Sequence, residues 1–232
     1  MATLPYGVAV YDGVAPSALC RQLITHFDAT PKKAIDHKID GKPEPFEYLE
    51  VDEENIRSHI AIHEVYRRIS RYVDRYLDEH IASPEFRSQL KAGIYSLDPR
   101  MKKYSVGGDF PSHTDDSSII AQSRRFAYIL YLNDDFTGGH TVFRSGTAEV
   151  ARIVPAEGAL AVFAVHPVFM HEGAPITSGS KYIFNGFVET MVSQARAAQE
   201  GSTASKLDVV KIELAMNVAK LSRAAEKVFG KR

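Results

Sequence analysis

The spacing of apolar residues changes along this chain, and each change predicts a different element. Residues 7–11 form a short apolar run ending at an Asp12-Gly13 turn; from Pro16 onward Leu19, Leu23, Ile24 and Phe27 recur at helical steps, so a strand should feed a helix. Residues 30–47 are rich in Lys, Asp, Gly and Pro and have no apolar period, which predicts a mobile loop long enough to cover a site. Within residues 52–81, Ile62, Val65, Ile69, Val73 and Leu77 fall three or four apart, the signature of one long helix.

From residue 92 to 192 the pattern becomes short β-rich runs between turn residues, at 93–97, 126–132, 141–143, 150–154, 159–165 and 181–188. Many short strands separated by Gly and Pro predict a two-sheet jelly roll. Beyond residue 192 the chain turns polar and Ala-rich. Leu207, Val210, Leu214, Leu221, Ala224 and Val228 then recur at three- and four-residue steps, interrupted only at Asn217, a terminal amphipathic helix expected to dock on its own barrel. The fold class is therefore mainly β with flanking α. The expected division is a catalytic unit over 1–192 (helical support over 1–91, jelly-roll core over 92–192) and a helical extension over 193–232.

Composition adds constraints. A length of 232 residues with 44% hydrophobic and 25% charged positions suits one folded core rather than disorder. A formal net charge of -1 provides no basic footprint, so nucleic acid is not an expected partner. Arg67, Arg68, Arg71 and Arg75 are interleaved with Asp74, Asp78 and Glu79, as on a solvated helix face. Cys20 is the single cysteine, which excludes an intrachain disulfide. The first residues lack a signal-peptide pattern, and no run approaches the ~20 apolar residues of a membrane span, so the expectation is a soluble cytoplasmic protein, monomer or homodimer.

His113 and Asp115 are two apart, a spacing that places both on one face of a strand, and His171 precedes a Gly-Ala-Pro turn where a jelly roll brings the chain back. Two imidazoles and a carboxylate with open positions are the facial triad of non-haem Fe(II) oxygenases, whereas a closed zinc site uses four protein ligands. Lys181 begins the apolar run Tyr182-Ile183-Phe184, a setting in which a cation needs an anionic partner. A dicarboxylate co-substrate meets that need, chelating iron at one end and pairing with Lys181 at the other, with Tyr104 and Tyr131 as hydroxyl donors to it. On its own, Lys181 reads as a strand-end lysine facing water. His59 and His63 are four apart but lack a third ligand and are assigned to packing or surface.

These residues sit in a longer pattern. Tyr104, Gly107, Phe110, His113 and Asp115, then Arg124, then Tyr131-Leu-Asn-Asp, Gly138-Gly139, Thr141 and Phe143, then Pro155 to Phe163, His171-Glu-Gly and Gly179-Ser-Lys181 resemble the catalytic domain of prolyl 4-hydroxylase-type 2-oxoglutarate and Fe(II)-dependent dioxygenases. The resemblance spans roughly residues 92 to 190. It implies a double-stranded β-helix, a cupin-like jelly roll, with His113, Asp115 and His171 as iron ligands. It further implies Lys181 on the distal carboxylate of 2-oxoglutarate, supported by Tyr104, Tyr131 and Thr141, with O2 as oxidant and ascorbate as candidate reductant.

The implied reaction converts 2-oxoglutarate to succinate and CO2 while one oxygen atom enters a substrate C–H bond. Asp115 favours hydroxylation over halogenation, since related halogenases carry a small residue there. Peptide-hydroxylating relatives often have tryptophans after the lysine; this chain has none and reads Lys181-Tyr-Ile-Phe-Asn185-Gly-Phe187. The substrate classes left open are a prolyl residue of a protein, another protein side chain, and a free amino acid or small metabolite. Residues 30–47 and 100–103 are where a substrate lid is expected. Readings of other classes are a non-catalytic jelly roll that binds metal or 2-oxoglutarate and a zinc hydrolase; the second leaves Lys181 unexplained.

Overall fold

The computed structural model describes residues 7–32, 38–39, 42–43, 46–116, 124–166 and 170–190. Helices come first: β1 (Val8–Tyr11) leads into α1 (Ser17–Ala29), a small hairpin β2 (Lys38–Ile39) and β3 (Lys42–Pro43), and β4 (Phe46–Glu50). Next are α2 (Glu53–Ser58), α3 (Ile60–His80) and α4 (Pro84–Gly93). The remainder is β: β5 (Ile94–Tyr104), β6 (Phe110–His113), β7 (Arg124–Tyr131), β8 (Thr137–Gly138), β9 (Thr141–Ser145), β10 (Ala148–Ile153), β11 (Leu160–Ala164), β12 (Met170–Gly173), β13 (Ile176–Ser178) and β14 (Lys181–Thr190).

Two antiparallel sheets make the jelly roll. The larger runs in the order β1-β11-β7-β14-β5-β4 and the smaller β10-β9-β12-β6, with β8 and β13 forming a separate pair. The large sheet is apolar on both faces, which is why its strands read as unbroken hydrophobic runs rather than as an alternating pattern. Phe126, Tyr128 and Leu130 of β7, Leu160 and Val162 of β11 and Phe184 of β14 pack against the stripe Ile62, Val65, Ile69, Val73 and Leu77 of α3 and against Leu23 and Phe27 of α1. Ala127, Tyr131, Ala161, Phe163 and Ile183, one residue out of phase, face the small sheet through Phe143 and Ile153. Full burial of each such aliphatic or aromatic side chain is worth ~1.5–3 kcal/mol, so α3 is held by its stripe.

Several expectations need correction. The helix expected over 52–81 is two helices: His59 is extended, φ -106 and ψ 107, and ends α2 while opening α3. A capping box between Asp52 and Asn55 starts α2 separately, and no Gly or Pro marks the break. The 30–47 segment contains the β2–β3 hairpin and the start of β4, which pairs with β5; residues 33–37, 40–41 and 44–45 lie outside the described residues. Residues 100–103 lie within β5 between two strands, so they are wall and not lid. The terminal helix expected over 207–228 is also outside the described residues. Among the described residues no helix is long and apolar enough to cross a membrane.

Candidate metal centre

β6 and β12 are neighbours in the small sheet, and His113 and His171 are register partners across them. Direct partners in an antiparallel pair project to the same face, so the pairing itself brings the rings together, with centroids 4.3 Å apart. Asp115 sits in the turn after β6, where Arg124 donates from Nη1 to its backbone oxygen at 3.1 Å. Its carboxylate lies between the imidazoles, Oδ1 at 3.3 Å from His113 Nε2 and Oδ2 at 3.5 Å from His171 Nε2.

One ligand atom from each of the three residues falls within 4.8 Å of the others, a spacing that fits a single metal ion. His113 Nδ1 lies 2.9 Å from the Pro111 carbonyl, a contact that orients the ring with Nε2 toward the site. His171 is 6% exposed and edge-on to Phe163 at 4.8 Å, which fixes its ring. Burial pushes the Asp115 carboxyl up, but the hydrogen bond from His113 and the charges of His171, His113 and Arg124 outweigh this and hold it below the usual carboxylate range. The residues therefore suit a divalent cation with open positions.

A cavity of about 380 Å³ opens from this cluster between the sheets, and Tyr104, Thr141 and Lys181 line it as well. Lys181 opens β14 opposite Tyr104 and is only 5% exposed, so it does not face water. Its ammonium donates to the Gly139 carbonyl at 2.6 Å and lies 5.4 Å and 5.8 Å from the Tyr131 and Tyr104 ring centroids. Among the described residues no carboxylate stands within ion-pair distance of it, and burial pushes its pKa down to about 7. Tyr131 is fully buried behind the cavity wall, its hydroxyl 2.8 Å from Thr141 Oγ1. Burial raises the Tyr131 phenol despite that contact.

Two supports escaped the sequence reading. Asn133 accepts from the Tyr182 backbone N–H at 2.8 Å and donates to the Ser180 carbonyl at 2.7 Å, pinning the entry to β14. Its signal is a lone amide directly after the apolar β7 run. Arg144 clamps Glu172 through two bonds of 2.8 and 2.6 Å, bracing β9 against β12; cross-strand charges of this sort show no local pattern. His59 and His63 take no part in the site.

Residues 99–189 match the model of the 2OG-Fe(II) oxygenase superfamily. That stretch, which holds all three residues of the metal cluster, is similar to a 2OG-Fe(II) oxygenase domain. Fe(II), 2-oxoglutarate and O2 are the cofactor, co-substrate and oxidant of that superfamily. No curated protein matches the chain. Among solved structures, the chain is similar to the viral collagen prolyl hydroxylase of Paramecium Bursaria Chlorella virus-1, with TM-score 0.55 and 19% identity over 81% of this chain and 97% of that one. A prolyl hydroxylase of Trichoplax adhaerens, solved with a hypoxia inducible factor oxygen degradation domain peptide fragment, gives TM-score 0.61 and 14% identity over 83% and 87%. A Pseudomonas putida prolyl-4-hydroxylase gives 0.59 and 17% over 80% and 93%. At such identities the likeness is one of fold.

Proposed function

We propose that this oxygenase hydroxylates a C–H bond of a prolyl or other amino-acid residue in a peptide or protein, consuming 2-oxoglutarate and O2 and releasing succinate and CO2. The observation that carries the reading is the pairing, in one cavity, of the His113–Asp115–His171 cluster with a buried lysine that has no carboxylate partner among the described residues. His113 and His171 would hold Fe(II) through Nε2 and Asp115 through its carboxylate. When bound, the iron and its co-substrate supply the oxidising chemistry.

The chain's own residues bind and orient. Lys181 pairs with the far carboxylate of 2-oxoglutarate, replacing water around its ammonium by a charge-assisted contact. Thr141, held by Tyr131, and Tyr104 offer hydroxyls at the same end of the cavity. Phe143 and Phe163, the latter on the cavity wall, pack against the His171 ring and keep water from those faces of it. A peptide substrate is favoured by the three prolyl hydroxylases among the neighbours described above, one of them solved with a peptide. A free amino acid is the second reading.

The test is anaerobically purified protein given Fe(II), 2-oxoglutarate, ascorbate and 18O2, assayed for succinate against peptides and free amino acids. Substrate-stimulated succinate with one labelled oxygen in the product is expected. Absence of succinate from metal-loaded protein, uncoupled turnover included, would leave a binding module instead.

A further inference from the structure

We propose that the cavity wall beyond the metal cluster is a recognition subsite for a carboxylate of the substrate, with Arg100 as its principal cation and Asn185 taking an adjacent N–H. This rests on the oxygenase reading and gives it a substrate class, an amino-acid unit that is anionic beside the oxidised C–H.

Arg100, Lys102 and Tyr104 alternate along β5 and are register partners of Asn185, Ile183 and Lys181 on β14, so all six project into the cavity. Arg100 Nε and Asn185 Oδ1 are both buried without a hydrogen-bond partner, a donor and an acceptor on facing positions. The Arg100 guanidinium lies 5.7 Å from the Tyr48 ring, and no described carboxylate is within ion-pair distance of it. Lys102 Nζ stands 4.3 Å from the Phe46 ring centroid, and the Arg124 guanidinium 3.6 Å from that of Phe187. Aromatic faces thus hold three cations along one wall.

Arg124 is paired with Glu189 at 3.8 Å, but no anion of the lining is placed against Arg100. Asp115 faces the two histidines, Glu172 is clamped by Arg144, and Asp109 is exposed. Nor does 2-oxoglutarate reach Arg100 from Lys181. Four residues of strand separate Lys181 from Asn185, ~13 Å, whereas four C–C bonds of ~1.5 Å span no more than ~6 Å. The group that completes Arg100 and Asn185 together accepts at one atom and donates at the next, as an acidic residue with its own backbone N–H does, or an amino acid with a free carboxylate.

The probes are capped pentapeptides with a central proline flanked by Glu, Gln or Lys, and N-acetylproline as acid and as amide. Binding is measured by calorimetry, without oxygen, to protein loaded with Mn(II) and 2-oxoglutarate. Glu peptides should bind at least about tenfold tighter than Gln peptides, with Lys peptides weakest. Arg100→Gln should shrink that preference to less than about twofold while Arg100→Lys keeps part of it. If only N-acetylproline shows an acid-over-amide preference, lost in Arg100→Gln, the subsite stands and its source is a small acid. Equal affinities within both sets, or a preference surviving Arg100→Gln, would overturn it. Should Arg100→Gln fail to fold, Asn185→Asp serves instead, and it should turn the preference toward Lys peptides. Loss of Mn(II) and 2-oxoglutarate binding with an intact Glu preference would overturn the oxygenase reading and leave the subsite.

Discussion

His113 and His171 are register partners on adjacent antiparallel strands, with ring centroids 4.3 Å apart and the Asp115 carboxylate between their Nε2 atoms. The spacing of the proposed ligands is thus a property of strand pairing: a one-residue slip of β12 would turn His171 to the opposite face. Three ligands on two elements also tie metal binding to the folded state, since the unfolded chain does not hold them together.

Metal should therefore stabilise the protein. At 100 times its Kd, a divalent ion adds ~2.7 kcal/mol, and each kcal/mol moves Tm by ~2–4 °C in a chain of this size, so Fe(II) or Mn(II) should raise Tm by about 5–10 °C. Scanning calorimetry with and without a chelator checks this. An unchanged Tm at saturating metal would count against the cluster.

The two histidines should part company when truncated. His113→Ala and His171→Ala should each lower metal affinity by at least ~100-fold, beyond the effect of losing an outer-shell partner. Their effects on apo stability differ. His171 fills space between Phe143 and Phe163, so its loss should cost ~2–4 kcal/mol, whereas the more exposed His113 should cost ~1 kcal/mol. Urea unfolding of the metal-free variants separates the two, and equal losses would contradict the packing described.

Lys181 should make stability depend on pH. Its pKa is about 7 in the fold, against ~10.4 for an unfolded lysine, so between those values the unfolded chain binds the extra proton. The destabilisation is complete below about pH 7 and is relieved as pH rises through that window, by at most ~1.4 kcal/mol per unit. Lys181→Met should flatten this rise in the apo protein and stabilise it at neutral pH. The same variant should weaken 2-oxoglutarate by ~10- to 150-fold, the loss of a charge-assisted bond of ~1.5–3 kcal/mol. In wild type, co-substrate affinity should fall as pH climbs above about 7, because binding needs the ammonium. Calorimetry at several pH values tests both parts, and parallel profiles for variant and wild type would remove Lys181 from this role.

What the sequence made legible follows from where the apolar period is clean. The stripe of α3 and the central strands β7, β11 and β14 stood out because burial on one or both faces dictates their composition. By contrast β6 and β12, which carry the two histidines, were not legible as strands. Phe110-Pro-Ser-His113 and Met170-His-Glu-Gly173 are short and mixed, and their pairing depends on partners far away in sequence. The histidines were found through chemistry and family pattern instead. The depth of Lys181 was equally invisible, since a lysine at the start of a strand is ordinarily at the surface, whereas here Gly139, Tyr104 and Tyr131 from distant parts of the chain surround the ammonium.

Gly139 should prove as sensitive as any ligand, although it carries no chemistry. Its φ of +66° is a left-handed conformation that costs a side-chain-bearing residue ~1 kcal/mol or more. A Cβ there would also lie 2.5 Å from Ile176 Cδ1, 2.9 Å from Phe136 Cε2 and 3.2 Å from Lys181 Cδ. Neither Ile176, 2% exposed, nor the lysine stem has room to retreat without moving β13 or β14. Gly139→Ala should therefore destabilise by ~2–4 kcal/mol, combining backbone strain with overpacking. It should also weaken 2-oxoglutarate by about tenfold through displacement of the ammonium it now fixes, while metal affinity, set by β6 and β12, stays within about twofold. Parallel titrations of metal and co-substrate on the variant check this. Equal losses of both would mean that the turn supports the whole small sheet and not Lys181 in particular.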